Sequence, residues 1–230
     1  MVKFIKELLK NKSKKEGTNM NKNIVLYIKG NPSDEMDSYS LSVGRDFINK
    51  YKEINPNDEV VEVNVYEDNI PMIDKDVLKG WGKLQSGKTM EDLTKEEREK
   101  IVRIDELTEQ FLKADKYVFS TPMWNLGLPP MVKAYMDTVI VARKTFKYTE
   151  NGPVGLLQDK KAIHIHSTGG VYSEGPAKDF VHAHSYMESA LSFMGIQDIK
   201  SIVIEGTAYM PKDELKNKAS QDVKEVVKNF

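Results

Sequence analysis

Residues 117–130 have the sequence Tyr-Val-Phe-Ser-Thr-Pro-Met-Trp-Asn-Leu-Gly-Leu-Pro-Pro, which joins an apolar run to a helix-like segment over residues 131–142. The apolar run predicts a buried strand. Prolines at 129 and 130 suit the first turn of a helix, where a missing N–H costs little. Between strand and helix lies a stiff loop that carries a thioether, an indole and a carboxamide. Because α/β sheets bind ligands in such loops, this one predicts a site for a planar group.

Length and composition favour one folded domain of ordinary character. The chain has 230 residues, of which 40% are hydrophobic and 30% charged, so it holds one substantial core and is too short for two full domains. A net charge of −1 provides no field that would attract nucleic acid. No apolar run approaches the roughly 18–20 residues of a membrane span. The absence of cysteine excludes disulfides, thiolate metal sites and cysteine nucleophiles, and it fits a cytoplasmic protein.

The first 22 residues differ in composition from the rest of the chain. They contain seven lysines, two glutamates and a short apolar helical face at positions 4, 5, 8 and 9. Charges interrupt this face, so it is not the core of a signal peptide. We predict a basic extension over residues 1–22, disordered or helical, followed by one domain over residues 23–230. An amphipathic helix that touches membranes, or an upstream start with Met20 as the usual beginning, are the alternatives.

Five predicted strands alternate with helical patterns along this domain, beginning with a β-branched run at residues 24–28 and a run at 59–65 that alternates apolar and acidic residues. This order predicts an α/β protein with a parallel sheet and helices on both faces. The polar segment over residues 66–90 is longer than an ordinary connection and is interpreted as a functional or mobile loop. Thr94 and Glu97 form a capping box that opens a charged helix. The predicted strands are 24–28, 59–65, 116–120, 161–167 and 199–204, and the predicted helices are 38–51, 94–114, 129–142, 176–194 and 211 onward.

Three loops follow the carboxyl ends of predicted strands, at residues 30–40, 121–127 and 167–172. In a doubly wound five-stranded sheet of order 2-1-3-4-5, the strands that precede these loops are neighbours. The loops then line one rim of the sheet, where such folds bind their ligands.

Two of these loops carry further signals, each with a plain alternative. Ser38, Tyr39 and Ser40 open a helix, where free N–H groups and the helix dipole favour an anion, although Ser38 also suits an ordinary helix cap. Gly169 and Gly170 allow the backbone to approach a ligand closely or to adopt positive φ, although they also suit a simple turn. Neither the Walker lysine motif nor G-x-G-x-x-G is present.

The histidines occur as two pairs. His164 and His166 alternate in a predicted strand and therefore point to one face of the sheet. His182 and His184 lie in a predicted helix, where residues two apart diverge. A four-histidine metal site is one hypothesis, but the spacing fits poorly and no acidic ligand stands beside the pairs. Packing of strand against helix is the favoured interpretation, and no metal is predicted.

Four motifs extend these local signals to most of the chain, namely Pro122-Met-Trp-Asn125, Phe146-Lys-Tyr-Thr-Glu-Asn-Gly-Pro153, Lys160-Lys-Ala162 and Gly169-Gly170. Together they resemble the FMN-dependent NADH azoreductases, a flavodoxin-like family that also reduces quinones. The resemblance runs from Asn23 to near the C-terminus and implies the flavodoxin-like fold. The chain departs from the family pattern at Trp124, where tyrosine is frequent, in a longer loop over residues 30–37, and in the basic extension.

The resemblance implies a noncovalent FMN, with FAD as the alternative, and NADH or NADPH as electron donor. No catalytic side chain is implied, because the flavin carries the chemistry. Trp124, Tyr148 and Tyr172 are the implied substrate contacts. The implied cofactor-binding residues are Asn31, the phosphate loop Ser38, Tyr39 and Ser40, the ring loop Pro122, Met123, Trp124, Asn125 and Leu126, and the loop at the far ring edge Ser167, Thr168, Gly169 and Gly170.

The activity that the resemblance implies is a two-step oxidoreduction. NAD(P)H reduces the flavin, and quinones or azo compounds then accept the hydride in the same slot, by ping-pong kinetics. A homodimer would complete the flavin site at the subunit interface. A flavodoxin-type electron carrier without small-molecule turnover is the second hypothesis, although carriers tend to be shorter and markedly acidic. A third is a non-flavin α/β protein that binds another ligand at its rim.

Overall fold

The computed structural model of the chain describes residues 22–230. The basic extension predicted for residues 1–22 lies outside the described residues, apart from Lys22. The elements, in chain order, are β1 (Ile24–Lys29), α1 (Tyr39–Ile54), β2 (Glu59–Asn64), α2 (Lys75–Gln85), α3 (Lys95–Lys113), β3 (Lys116–Pro122), α4 (Pro130–Val139), β4 (Phe146–Thr149), β5 (Gly152–Gly155), β6 (Lys161–Ser167), α5 (His182–Phe193), β7 (Asp198–Ile204) and α6 (Lys212–Val226).

The sheet has the order β2-β1-β3-β6-β7, and every neighbouring pair is parallel. Strands β4 and β5 form a separate antiparallel hairpin, so β6 and β7 are the fourth and fifth strands of the sheet. The predicted order 2-1-3-4-5 is therefore confirmed. Within the described residues, no helix is both long and apolar enough to cross a lipid bilayer.

Helices cover both faces of the sheet, as predicted for a doubly wound fold. Successive side chains of a strand point to opposite faces, and β1 divides accordingly: Leu26 and Ile28 enter one core, Val25 and Tyr27 the other. The first core is completed by apolar side chains of α3, α4 and α5, and the second by those of α1 and α6. Because both faces are buried at the centre of the sheet, β1 and β3 contain continuous apolar runs, whereas the edge strand β2 alternates apolar and acidic residues.

One helix was missed by the sequence analysis. The interpretation of residues 66–90 as a loop is wrong in part, because α2 lies within it. Asp74 caps this helix by accepting hydrogen bonds from the backbone N–H groups of Asp76 and Val77. Gly80 disfavours an isolated helix, yet the packing requires it, since a Cβ there would overlap the Cδ1 atom of Ile101 on α3. Gly80 therefore allows α2 and α3 to approach each other closely.

The starts of α3 and α5 show where local sequence signals predict a helix boundary correctly and where they do not. The capping box of α3 is confirmed: Thr94 accepts from the N–H of Glu97 at 3.2 Å, and the Glu97 carboxylate accepts from the N–H of Thr94 at 2.9 Å. The predicted start of α5 at Pro176 is wrong, because this helix begins at His182 after a separate short turn. No side chain caps α5. Instead the N–H of His182 donates to the carbonyl of Leu126 in another loop, at 3.0 Å.

The β4–β5 hairpin is attached to the end of α5. The ring of Phe146 packs against Phe193 with a centroid separation of 4.6 Å, and the N–H of Leu157 donates to the carbonyl of Met194 at 2.9 Å. Here α4 and α5 end and β6 begins, so the base of the hairpin lies at the amino edge of the sheet. Tyr148 on β4 is 74% exposed.

Candidate functional site

Three loops meet at the carboxyl edge of the central strands. The N–H of Gly30, after β1, donates to the carbonyl of Ser120 on β3 at 2.8 Å. The N–H of Met123, after β3, donates to the carbonyl of Ser167, the last residue of β6, also at 2.8 Å. The hydrogen bonds that pair the strands thus extend into the loops that follow them. They bring the loops together, as the predicted topology requires. We call these loops the first (residues 30–40), second (123–127) and third (167–172) rim loops.

The first rim loop ends in a cluster of small polar side chains. Asn31 donates through Nδ2 to Oγ of Ser38 at 2.9 Å, and the hydroxyls of Ser38 and Ser40 lie 3.2 Å apart. Ser38 also caps α1 by accepting from the N–H of Leu41 at 3.3 Å. The cap and the anion site are compatible, because a cap satisfies only part of a first turn whose N–H groups have no partner within the helix. This part of the rim can therefore bind a phosphate group.

An ion-pair network holds the preceding segment of this loop. Arg45 on α1 donates to both carboxylate oxygens of Glu35 and to both of Glu62 on β2, at 2.7–2.9 Å. Lys29 lies 3.6 Å from Glu35 and 3.4 Å from Glu62. Bidentate arginine pairs are directional, so this network fixes the path of the chain between Gly30 and Ser38.

Acid titration tests this network. Hydrogen bonds from Arg45 are the largest cause that lowers the pKa of Glu35 and the pKa of Glu62 below the usual 4.5. A carboxyl whose pKa is lowered by folding stabilises the fold above its unfolded pKa, and that stability is lost as the pH falls through the folded pKa. Below about pH 4.5, the urea midpoint of the native protein should therefore fall more steeply with pH than that of Arg45→Met.

The matched control for this titration is Lys22→Met. It removes an exposed ion pair with Glu59 at the start of β2, and exposed pairs contribute little. Its acid limb should follow that of the native protein. Parallel acid limbs for the native protein and Arg45→Met would contradict the role given to the network.

The second rim loop is a tight two-residue turn. Trp124 and Gly127 exchange two backbone hydrogen bonds of 3.0 Å, and the residues between them have positive φ, 48° at Asn125 and 71° at Leu126. Two successive positive φ values define the type I′ turn, which asparagine tolerates and leucine does not favour. The carbonyl of Leu126 accepts the N–H of His182 and so ties the turn to α5. Residues with strained backbone conformations of this kind cluster at active sites and ligand-binding sites.

The third rim loop is braced from behind by the segment after β7. The N–H of Thr168 donates to Ile204, and the carbonyls of Thr168, Gly169 and Gly170 accept from the N–H groups of residues 207, 208 and 206, at 2.9–3.1 Å. Among the described residues, the N–H groups of Gly169, Gly170 and Asn125 have no hydrogen-bond partner. The second and third loops, which the Met123–Ser167 hydrogen bond joins, therefore both have backbone donors without a partner in residues 22–230.

Gly169 has no reason within the chain to be glycine. Its φ is not positive, and a Cβ added there would meet only the Cβ of Ala208, at 3.8 Å, which is an ordinary contact. Of the alternatives offered for Gly169 and Gly170, positive φ occurs at neither residue. What remains is close approach of a ligand, for which a bare backbone leaves room.

The predicted aromatic contacts divide into two groups. Trp124 is 39% exposed, and its ring centroid lies 6.3 Å from that of Tyr66. Tyr172 folds over Gly170, where its ring would lie 3.1 Å from an added Cβ, and its N–H donates to Glu205. Both therefore lie at the rim. Tyr148 does not, because the hairpin that carries it is attached at the opposite edge of the sheet.

The histidines form a cluster that the sequence analysis described only in part. His164 and His166 stack with ring centroids 4.8 Å apart, on one face of β6 as predicted. His184 of α5 joins them at 5.4 and 5.2 Å, whereas His182 is exposed. Burial lowers the pKa of His166 to about 4 and holds the pKa of His164 well below its usual value. All three rings lie directly beneath the second and third rim loops.

One part of the histidine interpretation is wrong. An acidic group does stand beside the cluster, since the Glu188 carboxylate lies 3.5 Å from Nε2 of His184. The signal was available in the sequence, because residues four apart share one face of a helix.

One wide groove of the described chain holds none of the predicted site residues. It has a volume of about 710 Å³ and lies over α2 and α3, with Trp81, Leu84 and Ile101 among its lining residues. The candidate site is therefore defined by the convergence of the rim loops and not by a deep cavity.

Comparison with known proteins identifies the family of the chain. The model of a family described as having the flavodoxin-like fold matches residues 23–227. The chain belongs to this flavodoxin-like family. FMN-dependent NADH:quinone oxidoreductase 2 of Bacillus subtilis (strain 168) is 52% identical over 208 residues, which cover 90% of this chain and 99% of that protein. An FMN-dependent NADH:quinone oxidoreductase of Bacillus velezensis is 51% identical with the same coverage.

Solved structures agree with the family assignment. An FMN-dependent NADH-azoreductase from Bacillus anthracis str. Ames Ancestor, solved in complex with FMN, superposes with a TM-score of 0.85 at 36% identity. The match covers 90% of this chain and 98% of that one. An azoreductase from Bacillus anthracis str. Sterne gives a TM-score of 0.83 at 38% identity. The flavodoxin-like chain described here therefore shares its fold with these enzymes along almost its whole described length.

Proposed function

We propose that this chain is an FMN-dependent NADH:quinone oxidoreductase that also cleaves azo compounds. The observation that carries the proposal is the rim itself. Backbone N–H groups without a partner in the described chain, at Asn125, Gly169 and Gly170, lie on two neighbouring rim loops, one of which has an open glycine, and small polar side chains surround a helix N-terminus. A planar group with a phosphate tail needs both features. Relatives at about half identity carry this activity in their names, whereas a pure electron carrier is not favoured.

The residues present fit FMN. Asn31, Ser38 and Ser40, with the first N–H groups of α1, would bind the phosphate. The second and third rim loops would hold the isoalloxazine between them. When bound, the flavin supplies a two-electron centre that accepts and donates hydride. The cofactor-binding set that we propose is Asn31, Ser38, Tyr39, Ser40, Pro122, Met123, Trp124, Asn125, Leu126, Ser167, Thr168, Gly169 and Gly170.

The chain's own contribution is positioning and electrostatics. The turn at Trp124–Gly127 is fixed by two internal hydrogen bonds and by its hydrogen bond to α5. The N–H of Asn125 is therefore held in position whether or not a ligand is bound. Free N–H groups at Asn125 and Gly169 would stabilise negative charge on a reduced ring. Trp124 would bound a single slot that the nicotinamide and the oxidant occupy in turn, which predicts ping-pong kinetics. We assign no side-chain acid to the reaction.

Anaerobic reduction tests this function. The purified protein, loaded with FMN, should lose its yellow colour when NADH is added and regain it when menadione follows. A protein that stays colourless after incubation with FMN would contradict both the enzyme and the carrier. Yellow protein that NADH does not reduce, but that a separate reductase does, would establish the carrier instead.

We infer further that the enzyme is a homodimer. Tyr148 is an implied substrate contact, yet its hairpin is attached at the edge of the sheet opposite the rim loops. Tyr148 is 74% exposed, so it is available for contact with a partner subunit. A second copy that presents its hairpin to the rim resolves both facts. The flavin site would then lie at the subunit interface.

Subunit complementation tests this dimer. Tyr148→Ala damages the hairpin and Gly169→Val the rim, so each pure variant should be nearly inactive with quinone. Random exchange of subunits in an equal mixture makes half of the dimers mixed, and one of the two sites in each joins an intact rim to an intact hairpin. The mixture should therefore recover about a quarter of the native activity. No recovery after proven exchange would contradict completion of the site by the partner.

The remaining assignments follow from the relatives. We propose FMN in preference to FAD and NADH in preference to NADPH, because those are the molecules in the relatives' names. We propose residues 23–230 as the catalytic unit, since the family match covers residues 23–227. A cytoplasmic location, where NADH is available, is proposed with them. Equal kcat/KM for NADH and NADPH would contradict the choice of donor.

A further inference from the structure

We propose that His164, His166 and His184 form a binding site for a divalent transition-metal ion of the zinc class, separate from the flavin site. Their ligand nitrogens all lie within 4.8 Å of one another. Three neutral imidazoles are a donor set that zinc, copper, nickel and cobalt accept and that calcium and magnesium do not. The site joins β6 to α5 behind the rim loops.

The spacing of two of the nitrogens already matches zinc. Nδ1 of His164 and Nδ1 of His184 face each other at 3.2 Å. Two ligands that each lie about 2.0–2.1 Å from a tetrahedral zinc ion are about 3.3 Å apart. A metal ion can therefore replace the single proton that these two atoms now share at their present separation, once each ring turns so that its Nδ1 lone pair points to the ion.

The opposite nitrogens of the same two rings have the partners that metal ligands need. Nε2 of His164 lies 2.8 Å from Oγ1 of Thr121, and Nε2 of His184 lies 3.5 Å from the Glu188 carboxylate. Each partner can accept an Nε2–H bond, which leaves both Nδ1 atoms free to bind the metal. Histidine ligands in proteins commonly have such a hydroxyl, carbonyl or carboxylate behind them. Packing alone gives no reason for this arrangement.

His166 supplies the third donor. Its two ring nitrogens, which are buried without hydrogen-bond partners in the described part of the chain, are the strongest support for a bound ion. His166 is 2% exposed, and neither its Nδ1 nor its Nε2 has a hydrogen-bond partner among the described residues. Buried polar atoms without partners are costly and rare in native structures. A metal ion bound to His166 removes that cost. Because the three rings are now nearly parallel, with interplanar angles of 11–24°, His166 must turn about its side-chain bonds to complete the site.

The position of the site provides a route by which an ion can enter and determines which elements a bound ion would hold together. His184 is half-buried and Glu188 is exposed, so an ion can enter along α5. Thr121 directly precedes Pro122, and His166 directly precedes Ser167. A bound metal would therefore brace β3, β6 and α5 beneath two rim loops, and stabilise the fold without contacting the reacting groups.

Zinc titration of the FMN-loaded, metal-free enzyme tests the proposal. Calorimetry should show one zinc ion per chain. With free zinc about 100-fold above its dissociation constant, the Tm should rise by about 5–10 °C. The variants His166→Gln and His184→Gln should weaken zinc binding by at least about 100-fold, and Glu188→Gln by about 10–100-fold.

The matched control is His182→Gln, two residues away on the same helix but exposed. It should bind zinc as the native chain does. Glu188→Gln changes a surface residue and keeps the test decisive if a buried variant fails to fold. Absence of stoichiometric binding by the native enzyme, or loss of binding in His182→Gln with retention in His166→Gln, would overturn the proposal. The test reads metal binding directly, so its failure is distinct from failure of the proposed activity.

Discussion

Gly155→Ala is expected to lower the free energy of unfolding by about 3 kcal/mol, which in a chain of this size lowers the Tm by about 6–12 °C. A Cβ at this position would overlap the backbone of Met194 and Gly195, where the hairpin meets the end of α5. Backbone atoms cannot rotate away as a side chain can. The hairpin must therefore lift from α5, and the contact between Phe146 and Phe193 is lost with it. Thermal unfolding followed by circular dichroism measures the change.

The matched control is Gly82→Ala. Gly82 is exposed within α2, and an added Cβ has nothing within 4 Å. The substitution should raise stability by about 0.5–1 kcal/mol, because alanine favours the helix. If Gly155→Ala were as stable as the native protein, the hairpin would not be held by this contact. Activity should fall with stability in Gly155→Ala, because the hairpin carries Tyr148 to the proposed second subunit.

Gly169→Val is expected to raise the dissociation constant for FMN by about 100-fold, since overpacking a fitted contact costs about 1–3 kcal/mol. The chain itself has space for an added Cβ at this position, with only the Cβ of Ala208 nearby, at 3.8 Å. The loss must then come from the ligand that the bare backbone admits. Titration of the apoprotein with FMN, followed by quenching of flavin fluorescence, measures it, and Gly169→Ala should give an intermediate value.

The control for this variant is its own stability without flavin. The Tm of the Gly169→Val apoprotein should equal that of the native apoprotein, because no contact within the chain changes. Native FMN affinity in Gly169→Val would mean that the ring does not approach this loop. A lowered apoprotein Tm would instead mean that the loop itself is damaged.

The strands and their order could be predicted because both depend on signals within a few residues. Buried parallel strands are apolar runs, and alternation with helices restricts the sheet to a few topologies. The capping box at Thr94 and the cap at Ser38 are equally local. For the same reason the three rim loops were found together, since each follows the carboxyl end of a recognisable strand.

The errors concern residues whose role depends on a distant partner. The polar segment over residues 66–90 is interpreted from sequence as a loop, and the helix within it depends on a glycine at 80 that fits against Ile101. The start of α5 is decided by a carbonyl of the second rim loop and not by a cap of its own. Local propensity is a weak prior, and packing overrides it at such contacts.

The sequence by itself determined the α/β class and the five-stranded order, and it predicted the edge at which we propose that a planar ligand binds, because periodicity, caps and strand ends are encoded in neighbouring residues. Only the tertiary structure decided which residues meet across elements. It joined His184 to the pair on β6 with Glu188 beside it, left Gly169 open, and attached the hairpin of Tyr148 far from the rim. Those outcomes depend on how helices pack on the two faces of the sheet, and no local pattern specifies that packing.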